Sequence, residues 1–451
     1  MKSNSIVNKL FTRKTIRMTQ NSQKKETNEW KKQLPQRIFS PVVMMGDEEQ
    51  EGLLLMSEID DENFENKKYI DHKTYKSNLQ EAKNYKFDMK LIENMSSGLI
   101  TKYKDRMKRT MIVFDANKYE QKNHSFTKEK LIELYYYLIV QLDEKVNEFY
   151  SLVYIDNDET FPIDVFKALY NLLPYKYHKN IQKIYFILHP SIQLSITAKC
   201  LQKALKKITF ITDLYDIYKD IPVGYIDFPQ WVIECYTQKE HKQFSLPLDI
   251  VLESHYRGEV EIPIVIELVI SYFSANTEAI HTEGIFRICG TKVLVDKLVD
   301  DINHCRLSKF SSDENPHVVC SVFKAFFQGL PEPIIPEEIG NKIVELFREK
   351  IDYINEYGEN DSVKEPLLTI LKELTISRRR IIYALGNLAW LITSQNEINK
   401  MNASNMGTMF GPCVYWTDYS LESVTEIKFI IAMFTYIISH FLDIGAELLE
   451  E

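Results

Sequence analysis

Apolar residues in the first half of the chain form short continuous runs, separated by longer stretches of helical periodicity. Four runs predict β-strands, at residues 111–116, 151–156, 183–189 and 208–212. The runs are continuous and not alternating, so both faces of each strand are expected to be covered. The stretches between them have the spacing of helices, at residues 128–148, 162–177 and 192–206. This pattern predicts an α/β domain with a mainly parallel sheet over residues 80–240.

From residue 246 onwards the apolar positions recur at helical spacing, and no convincing strand interrupts them. Helices are predicted over residues 261–275, 292–302, 317–328 and 426–442. The most apolar run, residues 429–442, is about 14 residues long, shorter than the roughly 20 that a membrane-spanning helix needs. We therefore interpret it as a buried C-terminal helix. Residues 246–451 are predicted to form an all-α domain.

Charge is strongly segregated along the 451 residues, although the net charge is only −9. Residues 1–37 carry ten basic residues against two acids, and residues 46–66 carry nine acids without lysine or arginine. The region 1–75 is predicted to be a disordered tail, basic and then acidic. Its basic start has three open interpretations: a solvated tail, a membrane-surface anchor, or a mitochondrial presequence. The region 246–451 is acidic, with 31 acids against 17 basic residues.

The sequence lacks the motifs that are typical of several classes of function. Glycine is scarce, with 14 residues, and neither a P-loop nor a G-x-G-x-x-G motif occurs, so nucleotide binding by this chain is not expected. The acidic balance argues against a nucleic-acid partner. None of the six cysteines forms a C-x-x-C pair, which favours neither a metal site nor a disulfide framework. We expect no cofactor of the chain's own.

Three local features stand out in the helical region. The segment Thr-Glu-Gly-Ile-Phe-Arg, residues 282–287, places an arginine after a glycine turn and two apolar anchors. Leu-Pro-Glu-Pro, residues 330–333, ends the helix that carries Lys324. Residues 399–407, rich in asparagine, precede Phe-Gly-Pro. An arginine on a rigid loop, beside lysine and asparagine, suits a phosphate-bearing partner. From the residues alone, an ordinary surface arginine remains the alternative.

Taken together, these three segments resemble a known domain. EGIFRICG, VFKAFFQGLPEPIIP and NKMNASNMGTMFGP, in that order and spacing, are similar to the RhoGAP domain over about 200 residues. The resemblance implies a protein that accelerates GTP hydrolysis by a GTP-bound Rho-family small GTPase. GTP and Mg would be held by that partner, and this chain would lend it an arginine. The protein itself would be an activator and not an enzyme.

The resemblance also implies roles for particular residues. Arg287 matches the catalytic arginine finger, Lys324 matches a lysine that supports the loop and the GTPase contact, and Asn405 matches an asparagine that contacts the GTPase. Many family members have arginine where this chain has Gln328, so one expected contact differs here. The motifs add three further candidates for the contact surface: Gln328, Lys400 and Pro333.

Residues 105–235 resemble a second domain. RTMIVFDANKY, YSLVYIDN, KNIQKIYFILHPS and TDLYDIYKDIP are similar to the BCH domain, a branch of the CRAL–TRIO fold. This implies a hydrophobic pocket for lipid or prenyl chains, and binding to small GTPases or membranes, without identifying ligand residues. The expected location is cytoplasmic, with peripheral membrane attachment through this domain and the basic tail. The alternative function is a catalytically weak lipid- or prenyl-binding scaffold that docks small GTPases.

Overall fold

The structure is a computed structural model that describes residues 72–119, 128–157, 169–170, 172–190, 207–258, 261–357, 361–417 and 421–450. The predicted tail, up to residue 71, lies outside the described residues, as do the helix predicted at 192–206 and most of the one predicted at 162–177. Contacts divide the described chain into two units, with the boundary between Thr212 and Asp213. Each unit is described by itself.

The first unit combines helices with a five-stranded sheet. Its helices are α1 (His72–Lys83), α2 (Met89–Gly98), α3 (Lys128–Leu142) and α4 (Tyr175–Asn180). Its strands are β1 (Leu99–Lys104), β2 (Thr110–Asp115), β3 (Tyr150–Asp156), β4 (Ile181–Leu188) and β5 (Ile208–Phe210). The spatial order of the strands is the order along the chain. Strands β2 to β5 run parallel, whereas β1 pairs antiparallel with β2 at the edge.

An aromatic row crosses the parallel part of this sheet. Phe114, Tyr154, Phe186 and Phe210 occupy matched register positions on β2, β3, β4 and β5. Successive ring centroids are 5.9, 5.1 and 5.6 Å apart, which is within the usual range for aromatic pairs. Val153, on the opposite face, is also fully buried. Both faces of the central strands are therefore covered, as the continuous apolar runs predicted.

All four predicted strands are confirmed to within two residues at either end. Strand β1 was not predicted, because Lys102 and Lys104 break any apolar run on this half-exposed edge strand. Helix α1 begins at His72, within the last four residues of the predicted tail, 1–75. Only Tyr75, Asn78 and Ala82 of that helix are buried, so its amphipathic stripe is too narrow to stand out in the sequence.

Only helices occur among the described residues of the second unit, as predicted. They are α5 (Leu214–Ile217), α6 (Gln230–Tyr236), α7 (Leu248–Glu253), α8 (Ile264–Ala275), α9 (Thr277–Ile280), α10 (Lys292–Asn303), α11 (Pro316–Gly329), α12 (Glu337–Tyr357), α13 (Asp361–Lys372), α14 (Ile376–Thr393), α15 (Asn396–Asn399), α16 (Ala403–Val414), α17 (Leu421–Ser439) and α18 (Phe441–Leu448). Helices α8, α11 and α14 supply much of the buried core.

The predicted C-terminal helix is two helices. α17 and α18 are joined at His440, and the axis from Glu426 onwards bends by 100° there. Within the described chain, no single helix is long and apolar enough to cross a membrane. The bent pair taken together has the length and the composition of a membrane-spanning segment.

Residues 213–245 pack against the helices that follow them. The His241 N–H donates to the Asn303 carbonyl at 2.6 Å, and the Gln243 N–H donates to the Asn303 side chain at 2.8 Å. The two compact units divide between residues 212 and 213, whereas the domain limits predicted from the sequence are 240 and 246. A contact of this kind, between residues 60 positions apart, leaves no local mark in the sequence.

Candidate functional site

The candidate site is built on the loop between α9 and α10, residues 282–290, here called the arginine loop. Ile285 and Phe286 are fully buried in this loop, whereas Arg287 is exposed. The Phe286 ring packs against Phe323 and Phe410, with centroids 5.4 and 5.1 Å away. Burial of such an aromatic side chain contributes on the order of 3 kcal/mol. The apolar pair therefore anchors the loop and leaves the arginine at the surface, as predicted from the sequence.

The backbone of the arginine loop makes a tight turn. Gly284 and Phe286 both have left-handed conformations, with φ of 67° and 64°. A phenylalanine is rare in this region of φ, and such strain persists only where the surroundings fix the chain. The N–H groups of Arg287 and Ile288 both donate to the Gly284 carbonyl at 2.9 Å. The turn thus directs residue 287 away from the core that holds residue 286.

Helix α11 holds the loop at two points. Lys324 Nζ donates to the Phe286 carbonyl at 2.9 Å, and Ser321 Oγ accepts from the Gly290 N–H at 2.8 Å. Gly290 is required by the close approach, since a Cβ there would lie 2.5 Å from the Cα of Val318. The polar face of α11 therefore supports both ends of the segment that carries Arg287.

Lys324 is a fixed positive charge among these elements. Burial, aided by the Lys324 charge, lowers the pKa of the His317 ring. Burial raises the pKa of the Cys413 thiol to about 12, and Lys324 opposes this rise. Arg287 differs, because none of the described residues offers its guanidinium a carboxylate or carbonyl partner. The lysine is engaged within the molecule, and the arginine is available to a second one.

Asn399 ties a third element to the arginine loop. Its backbone carbonyl accepts from the Gly284 N–H at 2.8 Å. Its fully buried side chain donates to the carbonyls of Ile280 and Ile392, at 3.0 and 2.8 Å, and accepts from the Met401 N–H at 2.8 Å. All the hydrogen-bonding groups of this buried amide are thus used except one lone pair. Asn399 is the first residue of the asparagine-rich segment found in the sequence, but no role was predicted for it.

Asn405 lies next to this element, at the start of α16. Its Nδ2 donates to the Lys400 carbonyl at 3.1 Å, and its N–H is capped by Asn402 at 2.9 Å. Lys400 is exposed, has a left-handed φ of 61° and donates to the Glu397 carbonyl. The arginine loop, α11 and this asparagine-rich segment therefore meet, which brings Arg287, Lys324 and Asn405 into one region.

The two remaining candidates stand apart from the loop. Gln328 is exposed one turn beyond Lys324, and none of the described residues forms a hydrogen bond with its side-chain amide. The Pro333 carbonyl accepts from Arg378 Nη1 at 2.7 Å, and the same guanidinium donates to Glu332 at 2.7 Å. Pro333 is thus part of a braced turn. The bracing residue, Arg378, lies 45 positions away in the chain and was not predicted.

Comparison with known proteins agrees with both resemblances. A RhoGAP domain model matches residues 263–419, and a divergent CRAL/TRIO domain model matches residues 108–235. The Rho GTPase-activating protein gacY of Dictyostelium discoideum is 25% identical over 323 residues, which are 68% of this chain and 42% of gacY. The chain thus covers less than half of that relative.

Human Rho GTPase-activating protein 1 is 24% identical over 367 residues, 74% of this chain and 79% of that protein. Among solved structures, human Rho GTPase activating protein 15 aligns with a TM-score of 0.40 at 19% identity, over 47% of this chain and 93% of that one. The matched RhoGAP region contains the arginine loop, α11 and the asparagine-rich segment. The chain therefore contains a RhoGAP domain, which follows a divergent CRAL/TRIO, or BCH-like, domain, and the relatives that it resembles are Rho GTPase-activating proteins.

Proposed function

We propose that this protein accelerates GTP hydrolysis by a GTP-bound Rho-family small GTPase, to which it supplies Arg287 as an arginine finger. The observation that carries the proposal is the contrast within the arginine loop. Its backbone is held by Lys324, Ser321 and Asn399, whereas the Arg287 guanidinium has no partner among the described residues. A fixed loop with a free cationic tip suits a group that acts on another molecule.

The chemistry requires a cation of this shape. Phosphoryl transfer spreads negative charge over the γ-phosphate oxygens and the leaving oxygen, and a guanidinium can donate to two oxygens at once. GTP and Mg belong to the partner in this proposal, and no nucleotide or metal site of this chain is involved. Lys324 acts as a positioning residue, because its amine already donates to the Phe286 carbonyl. Asn405 acts in the same way, because its side-chain amide donates to the Lys400 carbonyl. Arg287 is the residue that would reach the reacting atoms.

The test is a single-turnover hydrolysis assay with the full chain and a panel of purified GTP-loaded Rho-family GTPases. We expect acceleration of about 10³–10⁵-fold for at least one member, and none for a Ras-family GTPase used as a control. Binding without acceleration across the panel would contradict the proposal. That outcome would instead support the scaffold alternative, in which the domain only docks GTPases.

Changing Lys324 to methionine should weaken activation without abolishing partner binding. Methionine keeps the unbranched apolar stem but removes the donor to the Phe286 carbonyl. The loop would then shift, and a misplacement of about 1 Å can cost about 10²-fold in rate. We expect the maximal stimulated rate to fall by about 10–100-fold in the single-turnover assay. Lys297→Met, on the exposed surface of α10, is the matched control, and equal rates for the two variants would refute a positioning role.

A further inference from the structure

The turn that joins β1 to β2 is a basic hairpin with an apolar tip. Residues 102–109 contain five basic residues and one acid, in the order Lys-Tyr-Lys-Asp-Arg-Met-Lys-Arg. Met107 at the turn is 66% exposed, and Lys102, Lys104 and Lys108 are exposed as well. Neither the stability of the fold nor the proposed GTPase activation explains an exposed apolar side chain among cations. We call residues 102–109 the cationic hairpin.

The single acid of the cationic hairpin, Asp105, is buried and paired with groups of the protein. The Asp105 side chain is fully buried and pairs with Arg109 Nε at 2.7 Å. It also accepts from the backbone N–H groups of Met107 and Arg109 at 3.0 Å, and from Ser151 Oγ at 3.1 Å. The carboxylate therefore rigidifies the turn and cancels Arg109. The charge that this hairpin presents to its surroundings is that of Lys102, Lys104 and Lys108.

The exposed lysines of the hairpin have no acidic partner in the part of the chain that the structure describes. Within the described residues, no carboxylate pairs with Lys102, Lys104 or Lys108, and the Lys102 amine lies 4.8 Å from the centroid of its neighbour Tyr103. The surrounding segment adds to the field, because residues 72–119 contain eleven basic residues and five acids. An anionic surface that approached this edge of the sheet would meet unpaired positive charge.

A simpler explanation accounts for part of this pattern. Lysines on an edge strand prevent edge-to-edge pairing with another sheet, which would explain Lys102 and Lys104 on β1. It does not explain Met107, since an exposed methionine at the tip adds apolar surface without blocking pairing. Nor does it explain Lys108, which lies past the end of β1 in a left-handed conformation with φ of 64°. Prevention of edge pairing therefore does not explain the residues at the tip of the hairpin.

We propose that the cationic hairpin docks the first unit on a membrane surface rich in anionic phospholipid. Met107 would enter the boundary between head groups and acyl chains, and the lysines would lie at the phosphates. A lipid surface fits better than an acidic protein, because a narrow apolar tip on a rigid turn can sink into a deformable interface. This docking goes beyond the proposed GTPase activation and does not depend on it. It would place the protein at the cytoplasmic face of a membrane.

The test measures vesicle binding of the full chain by co-sedimentation. Vesicles of phosphatidylcholine alone are compared with vesicles that contain about 30% phosphatidylserine, a composition that supplies the surface charge in question. The variant Lys102→Gln/Lys104→Gln/Lys108→Asn removes the three hairpin lysines, and its matched control is Lys76→Gln/Lys86→Gln/Lys145→Gln, which removes three other exposed lysines of the same unit. The basic tail is present in every variant, so its contribution cancels. Thermal melting monitors folding.

We expect the hairpin variant to bind anionic vesicles at least about tenfold more weakly than the control variant, since each lysine near such a surface contributes about fivefold. Met107→Ser should weaken binding by a further factor of about five, because the apolar contact is lost, whereas Met107→Trp should restore binding with a blue-shifted emission. Equal binding by the two triple variants would overturn the proposal. So would hairpin-dependent binding to soluble polyglutamate in the absence of vesicle binding, which would point to an acidic protein instead.

Discussion

Replacement of Arg287 by alanine should lower GTPase stimulation by about 10³–10⁵-fold, the range that arginine fingers contribute. The guanidinium is exposed and has no partner among the described residues, so its removal leaves no buried group unsatisfied. We therefore expect unchanged thermal stability and nearly unchanged GTPase binding. The loss would be specific to the transition state, where charge develops on the phosphate.

Single-turnover hydrolysis at saturating activator, together with direct binding to the GTP-loaded partner, would separate these effects. Arg287→Lys should also be severely impaired, since an ammonium lacks the planar fork of the guanidinium. Arg348→Ala is a suitable control, because this residue is an exposed arginine of the same unit that pairs with Glu426. Normal stimulation by the alanine variant would rule out Arg287 as the finger.

The second large effect is expected at Asn399. Asn399→Leu would leave the Ile280 carbonyl and the Met401 N–H without the Asn399 side chain as partner. The Ile392 carbonyl would also lose this bond but would keep the backbone N–H of Gln395 as a donor. Each buried group left unsatisfied costs about 1–3 kcal/mol, so we expect the free energy of unfolding of the helical unit to fall by about 3–5 kcal/mol. The carbonyl that holds Gly284 would also shift, which should lower stimulated hydrolysis more than partner binding.

Hydrogen–deuterium exchange of the arginine loop would report this change locally, alongside thermal melting of the full chain. Asn405→Ala is the comparison, since its half-exposed amide makes one hydrogen bond, to the Lys400 carbonyl, and its loss should cost no more than about 1 kcal/mol. If the two variants had the same melting temperature and the same hydrogen–deuterium exchange in the arginine loop, Asn399 would not brace the loop.

Strands could be predicted from the sequence where several consecutive residues are apolar and buried. The β3 and β4 segments are apolar along their length, so their coverage on both faces is visible in the sequence. Strand β1 could not be found in this way, because Lys102 and Lys104 face solvent and its pairing depends on β2. The attachment of residues 213–245 to the helical unit likewise rests on distant partners, such as Asn303 for Gln243.

The candidate site was predictable in its chemistry but not in its bracing. The glycine turn and two apolar residues were enough to place Arg287 at the surface. The contact from Lys324 to the Phe286 carbonyl depends on the left-handed conformation of residue 286, which the sequence does not reveal. No bracing role was predicted for Asn399 because asparagine is usually exposed, and its complete burial follows from three backbone groups that converge on it.

The three braces of the arginine loop have a consequence for repeated use of the protein. The backbone around Arg287 becomes ordered when the helical unit folds, so this conformational entropy is not lost again at each encounter with a partner. Only the arginine side chain remains to be fixed, at about 2 kcal/mol of rotamer entropy. In the proposed function, one activator molecule could therefore serve GTPase molecules in succession, and its release from each would not wait for a loop to refold.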